Sequence, residues 1–294
     1  MTNKNDLQKE RREFLKTSAL VAGGVMMSGY SWAGVNSSVD DTIKIALIGC
    51  GDRGTGAAFQ ALSTKSNLKL VAMADAFQDR LDNSYKLLAE RFKEKVDVPK
   101  ERQFVGFDGY QKAIALADVV LLVTPPGFRP MHFEEAVKQG KHVFMEKPVA
   151  VDSPGIRKVL AAAEIAKQKK LNVVVGLQRR YQTNYRETLK RIQDGAIGDI
   201  VSGQVYWNSG GVWVKPRTAN QTEMNYQMRN WYYFNWLCGD HIVEQHVHNI
   251  DIANWVKNAY PVSVQGTGSR AWRTGKDYGE IYDNHAVELK YADG

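Results

Sequence analysis

The chain has 294 residues, of which 44% are hydrophobic and 24% charged, and its formal net charge is +7. This composition is typical of an ordinary globular protein, and the length favours two domains over one. Because the positive charge is scattered along the chain, we expect no nucleic-acid partner. The sequence contains two cysteines, Cys50 and Cys238, so a disulfide framework is not expected.

The first 33 residues have the pattern of an export leader. A basic pair, Arg11-Arg12, precedes a mildly apolar run that contains glycine, and Ser31-Trp32-Ala33 has the small-x-small form of a cleavage site. The pair favours the twin-arginine (Tat) route, which exports folded proteins, over an ordinary secretory leader or a disordered basic arm. No stretch is long and apolar enough to span a membrane. We predict a leader over 1–33, a linker over 34–42 and a periplasmic or otherwise exported protein.

From residue 43 the chain follows the strand and helix rhythm of a parallel α/β fold. Residues 43–48 predict a buried strand and residues 57–62 the start of a helix, with a glycine-rich G-x-G-x-x-G turn between them. Such a turn lets the backbone approach a pyrophosphate, and the following helix offers free N–H donors. The residues of this predicted dinucleotide site are Gly49, Gly51, Asp52, Arg53 and Gly54.

A second strand, predicted over 70–74, supports this interpretation of the turn, since a glycine fingerprint alone is often only a turn. The strand ends at Asp75, about 20 residues after the last glycine, where dinucleotide-binding folds place the acid that binds the ribose hydroxyls. A carboxylate there repels a 2′-phosphate, which favours NAD over NADP as cofactor. Arg80, one turn later, leaves NADP open as the alternative.

Two later strands bring polar residues to the same edge of the sheet. A helix is predicted over 81–92, and the strand over 117–123 is followed by Thr124-Pro125-Pro126, which forces the chain off the sheet. After a helix over 133–139, a strand over 141–145 leads into Glu146-Lys147-Pro148. A charged pair at the carboxyl end of a parallel strand lies at the ligand edge, although alone it could be a surface pair.

Together with His132, these motifs resemble the Gfo/Idh/MocA oxidoreductases, from residue 43 to the end of the chain. The resemblance implies an α/β protein in which an N-terminal Rossmann domain with a doubly wound parallel sheet spans 43–176. A helix over 156–169 and a strand over 172–176 complete that domain. Residues 177–294 would then form a substrate-binding and oligomerisation domain, α/β with an open, mostly antiparallel sheet.

The resemblance also assigns roles to residues. It makes Lys147 the active-site lysine, which suits a donor that holds developing negative charge on a substrate oxygen during hydride transfer. It makes Glu146 a residue that shapes the nicotinamide pocket. The residues expected to bind the cofactor, from the motifs and the resemblance together, are Gly49, Gly51, Asp52, Arg53, Gly54, Asp75, Thr124, Pro125, His132, Glu146, Lys147 and Gln178.

Aromatic side chains crowd the region from 206 to 236 in the second half, after a helix over 185–194 and a strand over 200–207. Flat rings beside amides and arginines suit a sugar, whose C–H faces pack on π surfaces while its hydroxyls need polar partners. The alternative is that the rings form a core or a subunit interface. The candidate substrate-binding residues are Arg180, Trp231, Tyr232 and His248.

A histidine-rich stretch over 239–251 is the second informative segment. As one helix it places His241, Glu244 and His248 on one face. In the family it resembles, an acidic residue four positions before a histidine orients it, and that histidine serves as acid or base on the substrate hydroxyl. Glu244 and His248 take these positions, with Glu where Asp is more usual. The resemblance therefore gives Lys147, His248 and Glu244 as catalytic residues, and a neutral imidazole suits proton transfer near neutral pH.

The same histidines raise two alternatives. His241, Glu244, His246 and His248 include common zinc ligands, but the spacing is not HExxH and no further ligand set is evident, so no metal is predicted. His241 and His246 could equally be satisfied by neighbours at a domain interface.

The final residues alternate as a strand over 286–291 and end in a hairpin-turn signal without a returning strand, so we expect an incomplete second domain. The predicted function is hydride transfer between tightly held NAD and a carbinol carbon of a sugar, glycoside or polyol, in a homo-oligomer formed through the C-terminal sheet. One alternative is a redox-neutral glycoside hydrolase that oxidises, eliminates and reduces again. Another is a non-catalytic sugar-binding protein with structural NAD.

Overall fold

The computed structural model describes residues 42–294, so the predicted leader and all of the linker except Thr42 lie outside the described residues. The strands are β1 (Ile43–Ile48), β2 (Leu68–Asp75), β3 (Gln103–Val105), β4 (Val119–Leu122), β5 (His142–Met145), β6 (Val173–Val175), β7 (Ser263–Ser269) and β8 (Asn284–Lys290). The helices are α1 (Asp52–Leu62), α2 (Gln78–Arg91), α3 (Gly109–Ala115), α4 (Arg129–Lys138), α5 (Ser153–Gln168), α6 (Thr183–Gln193), α7 (Glu223–Arg229), α8 (Asn235–Cys238), α9 (Asp240–Glu244) and α10 (Val247–Lys257). Within 42–294, none of the helices has the length and hydropathy of a membrane span.

The first six strands form one parallel sheet in the order β3-β2-β1-β4-β5-β6. This is the strand order of doubly wound dinucleotide-binding folds, and it confirms the predicted Rossmann domain. The order changes direction between β1 and β4, and in such sheets ligands bind outside the carboxyl ends of the strands at that point. The glycine turn and the Thr124-Pro125-Pro126 segment follow β1 and β4 there.

Strand β1 shows why this sequence forms a central strand. Its residues from Ile45 to Ile48 are all buried, as expected for a strand covered on both faces. Because successive side chains point to opposite faces, Ile45 and Leu47 pack in one core layer while Ala46 and Ile48 pack in the other. The two layers are completed by the helices on each side of the sheet.

The helix of the glycine turn begins earlier than predicted. Helix α1 begins at Asp52, with Gly51 as its N-cap, rather than near residue 57. Two glycines inside its first turns lower helix propensity, but packing against the sheet outweighs that preference. The last glycine of the fingerprint therefore lies inside the helix. The sequence pattern also misses β3 and α3, which are short.

The second half departs further from prediction. Strands β7 and β8 pair antiparallel from Ser263 opposite Lys290 to Ser269 opposite Asn284, which confirms the predicted C-terminal strand to within two residues. The predicted strand over 200–207 is wrong, because that segment has no regular secondary structure. A side chain, rather than a neighbouring strand, bonds to a backbone acceptor of this segment: Lys257 Nζ donates to the Ile200 carbonyl oxygen at 2.9 Å.

The predicted continuous helix over 239–251 is also wrong. It is divided into α9 and α10 by a break at Gln245 and His246. Before the break, Gly239 and Asp240 both have positive φ, +76° and +67°. Glu244 is the last residue of α9, whereas His248 is the second residue of α10.

Candidate active site

A cavity of about 450 Å³ lies at the carboxyl ends of β1 and β4. It is lined by most of the residues predicted to bind the cofactor, together with Trp231 from the second half of the chain. The predicted residues in its lining are Gly49, Gly51, Asp52, Arg53, Gly54, Asp75, Thr124, Pro125, His132 and Trp231. The sequence motifs thus converge on one cleft.

Two of the three fingerprint glycines, Gly49 and Gly54, are required by the geometry of the turn. Gly49 has φ +95°, and a Cβ there would lie 2.6 Å from the backbone nitrogen of Thr124. A Cβ on Gly54 would lie 1.8 Å from the carbonyl oxygen of Gly49, so α1 rests directly on the turn. A Cβ on Gly51 would meet no atom within 4 Å, which leaves open space before the free amides of the helix N-terminus. The turn therefore fits a pyrophosphate.

Asp75 holds the turn from the neighbouring strand. Its Oδ2 accepts a hydrogen bond from the backbone nitrogen of Cys50 at 2.6 Å, and its Oδ1 accepts one from the nitrogen of Phe77 at 2.9 Å. Burial raises the pKa of Asp75, while these hydrogen bonds oppose the rise. The carboxyl group lies in the lining of the cavity, where the predicted ribose-binding acid belongs.

Two of the cations near this end of the cavity are already paired with acids. Arg229 donates to both carboxylate oxygens of Asp79 at 2.9 and 2.7 Å, and its guanidinium lies 4.1 Å from the centroid of the Phe77 ring. Arg80 lies 3.6 Å from Asp52. A 2′-phosphate would have to compete for these cations in front of Asp75, which favours NAD.

Two buried side chains, His132 and Arg129, lie close to Thr124 and the end of β4. Thr124 Oγ1 is 3.1 Å from His132 Nδ1, and burial, with Arg129 adding to it, lowers the pKa of His132 to about 3. Arg129 is 1% exposed and donates to the Leu122 carbonyl oxygen at 2.6 Å. Burial lowers its pKa to about 10, and the opposing effects come from Glu146 and Glu244. Sequence analysis misses this arginine; its position just after the paired prolines is the one available signal.

Glu146 connects the cavity to the predicted catalytic lysine. It is buried and accepts a hydrogen bond from Arg53 Nε at 2.6 Å. Gly176 makes room for it, because a Cβ at that position would lie 2.6 Å from Glu146 Oε2. Arg53 therefore lines the cavity, and its guanidinium binds Glu146, the residue that precedes Lys147.

Lys147 forms a largely buried ion pair with Glu244. Its Nζ donates to Glu244 Oε1 at 2.7 Å and to the Glu244 carbonyl oxygen at 2.6 Å. The side chains are 14% and 9% exposed. Burial raises the pKa of Glu244, and the ammonium of Lys147 opposes that rise. Since an ammonium has three donors, one N–H remains for a further oxygen.

The prediction that Glu244 orients His248 is therefore wrong, because Glu244 is bound to Lys147. The helix break explains the change. Among the described residues, His248 Nδ1 is buried without a hydrogen-bond partner, and the ring lies 5.8 Å from that of Trp207, nearly parallel. Burial, and then Lys147, lowers the pKa of His248 to about 4. Lys147 is thus close enough for its charge to be felt at the imidazole.

Comparison with known families agrees with this geometry. Residues 43–177 match the model described as oxidoreductase family, NAD-binding Rossmann fold, and residues 185–294 match the GFO/IDH/MocA C-terminal domain. The chain belongs to the Gfo/Idh/MocA family.

Several known proteins are similar to the chain over more than half of its length. Inositol 2-dehydrogenase from Rhizobium meliloti is 26% identical over 255 residues, which cover 86% of this chain and 66% of the relative. A glycosyl hydrolase family 109 protein from Streptomyces coelicolor is 26% identical over 176 residues, or 59% of this chain and 35% of the relative. The crystal structure of scyllo-inositol dehydrogenase from Lactobacillus casei with bound NAD(H) and scyllo-inositol has a TM-score of 0.62 at 24% identity, covering 86% and 67% of the two chains. The chain spans about two thirds or less of the length of these proteins.

Some expected site residues of this Gfo/Idh/MocA chain lie elsewhere. Arg180 donates to both oxygens of Asp251 at 2.9 and 2.8 Å and lies 4.6 Å above the Trp255 ring, so its guanidinium is already paired. Gln178 is exposed and lies outside the lining of the cavity. Tyr232 is buried in an aromatic core rather than facing a cleft. That core consists of Tyr226, Met228, Tyr232, Tyr233, Phe234, Leu237, Cys238 and Ile281.

Proposed function

We propose that this chain is an NAD-dependent oxidoreductase that transfers a hydride between a retained nicotinamide cofactor and a carbinol carbon of a sugar, glycoside or polyol. The observation that carries the proposal is the buried ion pair between Lys147 and Glu244. Lys147 directly follows Glu146, whose partner Arg53 lines the dinucleotide cavity. Membership of the Gfo/Idh/MocA family supports the reaction type, and the inositol dehydrogenases among its relatives support a polyol or sugar substrate.

The residues divide the chemistry between them. NAD, when bound, supplies the hydride acceptor. The free N–H of Lys147 donates to the substrate oxygen and stabilises the negative charge that develops when the hydroxyl loses its proton. The neutral imidazole of His248 accepts that proton. Glu244 is a positioning residue that fixes the ammonium of Lys147.

Export would make retention of the cofactor necessary. The basic pair Arg11-Arg12 supports export of a folded protein that already holds its nucleotide. Outside the cytoplasm free NAD is not readily replenished, so the bound cofactor would be reoxidised by a second substrate or regenerated within one cycle. The exposed β7–β8 sheet supports a homo-oligomer formed through that sheet.

The test begins with the full chain purified without added nucleotide. Mass spectrometry of the small molecules released on denaturation is expected to find NAD or NADH in a stoichiometric amount. Turnover is then followed by NADH absorbance with inositols, aldoses and glycosides. Lys147→Met is expected to reduce kcat by about 100-fold or more, because a group that acts on the transferred proton and oxygen is lost. Lys158→Met is the matched control, since Lys158 pairs with Glu134 on the surface at 2.9 Å.

The outcomes separate three functions. A keto-sugar or keto-polyol product with NADH supports the dehydrogenase. Glycoside cleavage without net NADH supports the redox-neutral hydrolase, the second candidate, which the similarity to a glycosyl hydrolase family 109 protein favours. If no substrate turns over, and Lys147→Met and His248→Gln bind sugars as the original chain does, the proposal fails and a non-catalytic binding protein remains.

A further inference from the structure

A second polar cluster lies outside the residues assigned to hydride transfer. One ligand-type atom from each of Asp240, His241 and His285 lies within 4.8 Å of the other two. Asp240 and His241 begin α9, whereas His285 is the second residue of β8. Folding thus brings together three side chains that the sequence separates.

One histidine of this cluster, His241, has an unused nitrogen atom. His241 is 9% exposed, and its Nε2 is buried without a hydrogen-bond partner among the described residues. The Nε2 of the adjacent His246 is in the same situation. The ring of His241 lies 4.4 Å from that of His285 and 5.1 Å from that of His246, measured between centroids. A buried polar atom without a partner destabilises the fold, so the arrangement favours a ligand for these nitrogens.

Asp240 is held in place by its backbone and by a hydrogen bond. Its φ of +67° is uncommon for a residue with a side chain, and such strain clusters at functional sites. Its Oδ2 accepts a hydrogen bond from the nitrogen of Tyr282 at 2.9 Å, and its Oδ1 lies 3.4 Å from His285 Nε2. The carboxylate therefore faces the imidazole and supplies the negative charge that a divalent cation needs.

We infer that Asp240, His241 and His285 bind a divalent transition metal ion, with zinc as the ion that the donor set suits best. Imidazole nitrogen and carboxylate oxygen are common zinc ligands, and three protein ligands leave a position for water or for His246. The site differs from the set rejected on sequence grounds, since it excludes Glu244 and His248 and includes His285. The ion joins β8 to the short helix that ends at Glu244, so it stabilises the segment that positions Lys147.

The test uses the full chain without a histidine tag. Elemental analysis after purification in zinc-containing medium is expected to find one zinc per chain. After treatment with a chelator, titration with Co²⁺ is expected to give visible absorption that saturates at one equivalent and disappears on addition of Zn²⁺, and Zn²⁺ is expected to raise Tm. These measurements need neither a variant nor an active enzyme.

Variants then locate the ion. His285→Ala and His241→Ala are expected to weaken Co²⁺ binding by about 100-fold or more, since loss of a ligand exceeds the effect of losing an outer partner. His142→Gln, on the parallel sheet, and His248→Gln, in the proposed active site, are the matched controls and are expected to bind Co²⁺ as the original chain does. The inference is overturned if the original chain binds no Co²⁺ or Zn²⁺, or if His248→Gln abolishes binding while His285→Ala does not.

Discussion

The ammonium group of Lys147 acts on two side chains at once. It is held by two acceptors of Glu244, and its charge helps to keep the imidazole of His248 neutral. A base that is neutral at physiological pH accepts a proton without first losing one. At the scale of single residues, the site therefore depends on the positive charge of Lys147, which acts on both the acid Glu244 and the base His248.

The pKa of His248 is expected to report this placement. Burial and then Lys147 lower it to about 4, so kcat/KM is expected to stay flat as pH falls through 6.5, the usual imidazole pKa, and to decline only nearer 4. In Lys147→Met the pKa is expected to rise but to stay below 6.5, because burial remains. Histidine-selective NMR titration measures both values, and His132 serves as the internal control. A pKa near 6.5 for His248 in the original chain would contradict this account.

The residues that the sequence predicts well are those whose roles are local. The fingerprint glycines and Asp75 follow from a strand, a turn and a fixed spacing, and all line the cavity. The partner of Glu244 is Lys147, which lies 97 residues earlier in the chain, and no local pattern specifies that long-range contact. The burial of Arg129 is likewise a tertiary property.

At the scale of secondary-structure elements, the contact between α1 and the glycine turn can be tested with two substitutions in one helix. Gly54→Ala places a methyl group 1.8 Å from the Gly49 carbonyl oxygen, a backbone atom that cannot rotate away. We expect it to destabilise the fold by about 2 kcal/mol or more and to weaken NAD binding. Gly56→Ala is the control, since its Cβ would meet only Arg53 Nη1, at 3.7 Å.

The control substitution is expected to change the stability of the fold in the opposite direction. Alanine in a helix interior is favoured over glycine by about 0.5–1 kcal/mol, so Gly56→Ala is expected to be neutral or stabilising and to keep its NAD affinity. Urea unfolding and isothermal titration measure the two quantities. Equal effects of the two substitutions would show that α1 does not rest on the turn in the manner described.

Secondary-structure elements, like residues, are predicted well where their determinants are local. The parallel strands are apolar on both faces and flanked by turns, so β1, β2, β4, β5 and β6 are all found from the sequence. The segment over 200–207 has a strand composition but forms none, since pairing needs a neighbouring strand and its Ile200 carbonyl is taken by Lys257. The break at Gln245 and His246 lacks glycine or proline, the residues that mark such breaks.

At the scale of the whole molecule, buried imidazoles make stability depend on pH. Burial is the first cause that lowers the pKa of His132 to about 3 and of His241 and His248 to about 4, and it also lowers the pKa of His246. A folded pKa below the unfolded value favours the neutral form, so this stability is present above pH 6.5 and is lost as pH falls toward 4. The raised pKa values of Asp75 and Glu244 act in the opposite direction.

The histidines outnumber these two acids, so the free energy of unfolding is expected to fall between about pH 7.5 and about pH 5. In the metal-free protein, the loss is about 2 kcal/mol for each of His132, His241 and His248 at pH 5, before the acids offset part of it. Urea unfolding at the two pH values measures the difference. Substitution His132→Gln is expected to reduce the pH dependence, and an unchanged stability across the range would contradict the prediction.

The contact between Arg53 and Glu146 has a consequence for how the binding of the nucleotide and the binding of substrate affect each other. An anion that enters the cavity meets a guanidinium already bound to a buried carboxylate, so any attraction it exerts on Arg53 alters the electrostatic surroundings of Lys147. Thermodynamic linkage makes that influence reciprocal. The factor by which the nucleotide changes the affinity for substrate equals the factor by which substrate changes the affinity for the nucleotide. A substrate that binds more tightly when the nucleotide is present therefore also strengthens the binding of the nucleotide.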